Sequence, residues 1–200
     1  MALYRTPFAA AMPQLSAESR DTVLAATRHW LTRAVIGLNL CPFAKSVQVK
    51  NQIRYAISEA ADMEGVLTDL ETELQTLADA DPAAIDTTLL IIPHALADFL
   101  EYNDCLFFAG RMLKQMRLEG ELQIASFHPQ YQFEGTEAGD IENYTNRAPY
   151  PVLHLLREAS IERAVEAFPD AADIYERNQE TMQRLGLEGW KKWMSEASED

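Results

Sequence analysis

Apolar positions recur at three- and four-residue spacing through Leu24, Thr27, Leu31, Ala34, Val35 and Leu38, which predicts a helix over 16–38. Ser16 stands where it would cap that helix, and Gly37, Asn39 and Pro42 stand where it would end. The period then changes. The string QIRYAIS, 52–58, alternates polar and apolar residues as a strand with one wet face does. An acidic amphipathic helix follows over 62–78, its stripe made by Met63, Val66, Leu67, Leu70, Leu74 and Leu77. TTLLII, 87–92, is short and β-branched, the pattern of a strand covered on both faces. The next helix, 96–118, has Phe99, Tyr102, Leu106, Ala109, Leu113 and Met116 on its buried side, and ELQIASF, 121–127, reads as a third strand. Beyond a polar segment, helices are expected at 152–159, 161–168 and 171–185, with Pro151 at a first helical position, Asp170 as a cap and Gly186 as a stop. A last short helix would carry Trp190 and Trp193.

Helices alternating with strands predict an α/β fold: a single layered domain with a small, mostly parallel sheet of about three strands, flanked by helices and followed by a helical C-terminal part. No repeat or linker divides the chain. Residues 1–16 read as an N-terminal extension, 17–194 as the domain and 195–200 as an acidic tail.

At 200 residues the chain is long enough to bury about 70% of its unfolded surface without a disulfide or metal. Its net charge of −14 excludes a nucleic-acid backbone or an anionic membrane as the main partner, while leaving room for a small anionic molecule that feels only its local site. Two cysteines more than sixty positions apart make no disulfide framework, and no apolar run approaches the roughly 20 residues of a membrane helix, so a cytoplasmic location is expected. The glycines form neither GxGxxG nor GxxxxGK[ST], and flavin, haem and iron–sulfur ligation has no visible residues, so the sequence identifies no cofactor. Homo-oligomerisation stays open, with the Trp190/Trp193 helix as one docking element.

The chemistry concentrates in 127–157, FHPQYQFEGTEAGDIENYTNRAPYPVLHLLR, a polar stretch too long for an ordinary loop. Ligands of open parallel sheets bind beyond the carboxyl ends of the strands, which would bring His94 and His128 to one edge. His128, held by Pro129 at a strand end, suits a general base, with Glu134 or Asp140 orienting it; it equally suits a loop-anchoring hydrogen bond. His128, Glu134, Asp140 and His154 match no compact metal signature, and no metal is assigned. Arg147 among amides, with Arg157 and His154 on the following helix, suits recognition of a carboxylate or phosphate; the alternative pairs both arginines with Glu134 or Asp140. Cys41, near Lys45, is a candidate nucleophile opposed by the preceding helix C-terminus, and Cys105 reads as core.

Together the strings NLCPFA (39–44), FHPQYQFEG (127–135) and TNRAPYPVLHLLRE (145–158) resemble the bacterial family catalogued as domain of unknown function 1415, and Arg177-Asn178 with Arg184-Leu185-Gly186 fits its C-terminal helix. The resemblance implies a shared cluster of His128, Tyr131, Glu134, Asn146, Arg147, His154, Arg157, Arg177 and Asn178, with Arg177 brought over the polar segment. It implies no particular reaction. The expectation from the residues is a small-molecule enzyme, of the hydrolase or transferase kind, acting on an anionic substrate with His128 as acid/base. A non-catalytic domain that binds an anionic ligand or a metal is the alternative.

Overall fold

The computed structural model describes residues 17–166 and 173–196. The N-terminal extension with the Ser16 cap, the far end of the 161–168 helix, the Asp170 cap and the end of the acidic tail lie outside them. Six α-helices and four strands follow in order: α1 Ala17–Trp30, α2 Ala44–Val49, β1 Ile53–Ile57, α3 Met63–Asp79, β2 Thr87–Ile91, α4 Phe99–Gln115, β3 Leu122–Phe127, β4 Val152–Arg157, α5 Glu158–Glu166 and α6 Ile174–Ser195. A π-helical stretch, Leu31–Ile36, continues α1, and a 3-10 turn, Ile141–Thr145, lies between β3 and β4.

The sheet order is β1-β2-β4-β3. β1 and β2 are parallel, but β4 runs antiparallel to both β2 and β3. The three strands expected from the sequence do share one direction. What corrects the expectation is β4, which slots between two of them from the opposite end and makes the sheet mostly antiparallel. VLHLLR was expected to be helical and Pro151 to start that helix; instead the strand is buried on both sides, and such strands read as unbroken apolar runs that periodicity cannot tell from a helix. The helix begins only at Glu158, whose N–H still bonds Glu121 O at 2.9 Å.

Helix α3 starts where Asp62 accepts a hydrogen bond from Gly65 N–H, and α4 where Asp98 accepts from Leu100 and Glu101, one turn later than the sequence pattern suggests. Both helices lie on one face of the sheet, where Val66, Leu70, Leu74, Tyr102, Cys105 and Ala109 pack on Leu90, Leu153 and Leu155. On the other face, Trp30, Leu31, Ala34 and Val35, with Met182 and Trp190 of α6, pack on Leu89, Ile91 and Val152. Gly186 (φ 64, ψ 172) breaks α6 where a stop was expected, so the Trp190 turn starts as a separate segment. Trp190 meets Tyr144 at 5.5 Å, and the Trp193 indole N–H donates to Arg33 O at 2.7 Å, so both tryptophans dock on their own domain.

Candidate functional site

The polar segment turns most of its hydrogen-bonding groups on its own backbone. Buried Asn143 organises it: its Oδ1 accepts from Phe133 N–H and the Thr136 hydroxyl, both at 2.9 Å, and its Nδ2 donates to Glu137 O at 2.8 Å. Asp140 accepts from Glu137 N–H at 2.8 Å, and Asn146 donates to Ser126 O at 3.3 Å. Arg147 donates to Tyr131 O (3.1 Å) and Ala138 O (2.6 Å), with its guanidinium 4.3 Å above the Tyr144 ring centre. The Tyr131 ring packs between Phe99 and Phe133.

His128 is fully buried beneath the Phe99 and Tyr102 rings. Its Nε2 donates to Leu96 O at 3.0 Å, and its Nδ1 accepts from Gln130 N–H at 3.0 Å. Burial lowers its proton affinity. Both nitrogens are therefore engaged, and neither Glu134, which is exposed, nor Asp140 bonds them. His94 stands at the same end of the sheet, as the shared strand direction requires, but is exposed. Among the described residues, no three His, Cys, Asp or Glu side chains are placed to hold a metal.

A different place gathers the remaining candidates. The sheet face toward α1 is only partly covered, leaving a cavity of about 720 Å³. Strand register builds its floor: Leu89, His154 and Ala125 lie directly opposite one another across β2, β4 and β3, beside Thr87 and Leu156 in the next row. One wall is apolar, from Trp30, Leu31 and Val35 to Cys41, Pro42 and Phe43 of the NLCPFA turn. That turn closes through Asn39 in the left-handed region (φ 55), and Val35 O accepts from both Leu40 and Cys41 N–H. The Asn178 amide fixes it from α6, donating to Leu40 O at 2.9 Å. Burial pushes the Cys41 thiol above its ordinary proton affinity, so it is not a poised thiolate.

The other end of the cavity is charged. Lys50, Arg157 and Arg163 line it against a single carboxylate, Asp86. Three cations thus gather in one cavity of a chain whose net charge is −14. The Arg157 side chain reaches Ala80 O (2.7 Å), Ile85 O (3.3 Å) and Leu77 O, which tethers it to the end of α3. Arg163 donates to the Ser160 hydroxyl (2.9 Å), which donates to Asp86 (2.6 Å), fastening α5 over this end. His154, on the floor, has its proton affinity pushed down to about 4 by burial.

The structure thus separates the predicted cluster into three places. His128, Tyr131, Glu134, Asp140, Asn146 and Arg147 belong to the loop; Cys41, His154 and Arg157 belong to the cavity; Arg177 is exposed on α6, which does fold back toward the loop through Tyr175 on Phe133 at 6.0 Å. Lys50, Thr87 and Arg163 carry no motif and were not anticipated. The available signal was a polar residue inside an apolar run, VLHLL, which read as a strand puts His154 on one face of a sheet. The model of a family described as Protein of unknown function (DUF1415) matches residues 22–192, whereas no curated protein and no solved structure matches.

Proposed function

Taking as premise that this chain belongs to the DUF1415 family, we propose that it binds and acts on a small anionic molecule with a largely apolar body, held in the sheet-face cavity. One observation carries the reading: a single concave site combines three cations at one end, an apolar wall and an unprotonated imidazole on its floor. The carboxylate or phosphate of the ligand faces Lys50, Arg157 and Arg163, and its body lies against Trp30, Leu31, Phe43 and Phe127. His154 takes the acid/base role expected of His128, because a base needs a lone pair that substrate can reach. A second reading, binding without turnover, is favoured by that same low proton affinity, since an imidazole titrating near 4 is a weak base at neutral pH.

Thermal unfolding against aliphatic and aromatic carboxylates and phosphate monoesters tests the site. A compound that binds the folded chain raises the melting temperature. The rise disappears in Ala125→Leu, which fills the floor opposite His154, and Arg163→Gln weakens binding about tenfold. Absence of any shift across the panel would sink the proposal. Mass analysis of a bound compound after incubation separates the readings: conversion by the wild type but not by His154→Asn means catalysis, and an unchanged compound means binding alone.

A further inference from the structure

We propose that Thr87 fixes the polarity of the cavity floor, so that the ligand must offer His154 a hydrogen-bond donor, a hydroxyl carried on the apolar body of the anion. Thr87 Oγ1 lies 2.7 Å from Leu155 O. Two oxygens that close need a hydrogen between them, and a backbone carbonyl has none, so the single hydroxyl hydrogen of Thr87 points at Leu155. Thr87 Oγ1 also lies 2.7 Å from His154 Nε2. With the threonine hydrogen already committed, the hydrogen in that second contact belongs to the imidazole. His154 is the Nε2–H tautomer, and Nδ1 carries the lone pair.

That lone pair opens to the cavity. Nδ1 makes no hydrogen bond among the described residues, and the one buried side-chain polar atom there without a partner is Thr88 Oγ1, so Nδ1 is accessible. Around it the floor offers Leu89, Ala125 and the Phe127 ring, 6.0 Å away between centroids, none of which donates from its side chain. A ligand that buries Nδ1 without a donor leaves it unsatisfied, and sites built around a hydrogen bond discriminate strongly against analogues that lack it. An anionic group alone does not meet this need, since a carboxylate accepts and does not donate. The inference rests on the cavity reading above and adds what the ligand must carry: an acid that faces the cations and a hydroxyl that meets His154 on the floor, with Thr87 as the positioning residue that sets the requirement.

The test has two independent arms. In the first, nitrogen-15 NMR of histidine-labelled protein reads the tautomer without any ligand. The Nε2–H form is expected for His154 in the wild type and in Thr87→Ser, which keeps the hydroxyl, and a mixed or reversed form in Thr87→Val. A wild-type ring protonated at Nδ1, or a tautomer indifferent to Thr87→Val, overturns the inference and leaves the cavity reading intact. In the second arm, 4-hydroxybenzoate, 4-hydroxyphenylacetate and 3-(4-hydroxyphenyl)propanoate are titrated beside their methyl ethers. At least one phenol is expected to bind roughly tenfold tighter than its ether, with the preference lost in Thr87→Val. Ethers that bind as well as phenols overturn the donor requirement alone. No binding by either series, with no response of the His154 signals, counts against the cavity as the site.

Discussion

Thr88 sits in the centre of the sheet with its hydroxyl buried and, among the described residues, without a partner. A buried hydroxyl that bonds nothing costs about 1–3 kcal/mol, so Thr88→Val is expected to leave the fold intact and raise its stability by about 1 kcal/mol. A higher urea midpoint at unchanged slope would show it. Buried His128 and half-buried His154 act in the opposite sense on acidification. Burial lowers the proton affinity of both, that of His154 from 6.5 to about 4, so the unfolded chain takes up those protons first. The contribution of His154 is complete above pH 6.5 and is lost as pH falls from there toward 4. Between pH 7 and pH 5 the unfolding free energy from urea titration should fall further for the wild type than for His154→Phe, by about 1–2 kcal/mol after allowing for partial exposure. Equal drops would mean that His154 keeps an ordinary proton affinity. The sequence holds four histidines. Which of the four faces a cavity depends on strand register, which single-residue chemistry does not encode.

At the scale of elements, legibility followed periodicity. Helices α3 and α4 and strands β1 to β3 lie where the alternation of their residues put them, within a residue or a turn. Strand β4 did not, because a strand covered on both faces loses its alternation and Leu-rich VLHLLR carries one β-branched residue. The same misreading placed His154 and Arg157 on a helix and hid the cavity floor. Gly186 was legible for a backbone reason. Its φ of 64 with ψ of 172 is a region open essentially to glycine alone, and the turn it makes brings Trp190 and Trp193 onto the body of the fold. Gly186→Ala should cost about 1–3 kcal/mol, read as a lower melting temperature. It should also red-shift tryptophan emission, since Trp190 leaves its buried seat on Tyr144. Unchanged emission and stability would show that the kink is not needed.

Over the whole molecule, the excess of acid is carried away from the cavity, whose charged end holds Lys50, Arg157 and Arg163 against Asp86. No helix among the described residues is long and apolar enough to cross a membrane. The net charge read from the sequence said nothing of this contrast, because it sums over residues that folding sends to different places. Long-range attraction between the charged end and a small anion weakens as salt screens it over about 10 Å at 0.1 M. Ligand affinity is therefore expected to fall several-fold between 50 mM and 500 mM salt, measured by titration calorimetry, whereas a wholly apolar mode of binding would strengthen slightly.

The late position of β4 bears on how the chain is made. When Phe127 emerges from the ribosome, β1, β2 and β3 and the helices between them are already outside, yet β2 and β3 do not pair with one another in the final order, because the strand that lies between them has still to emerge. Through that interval two strand edges stay open, a template for pairing with other nascent chains. A chain stopped after residue 150 should consequently be aggregation-prone and retained by holdase chaperones, and addition of the VLHLLR hexapeptide sequence back to it should be the step that releases a soluble product.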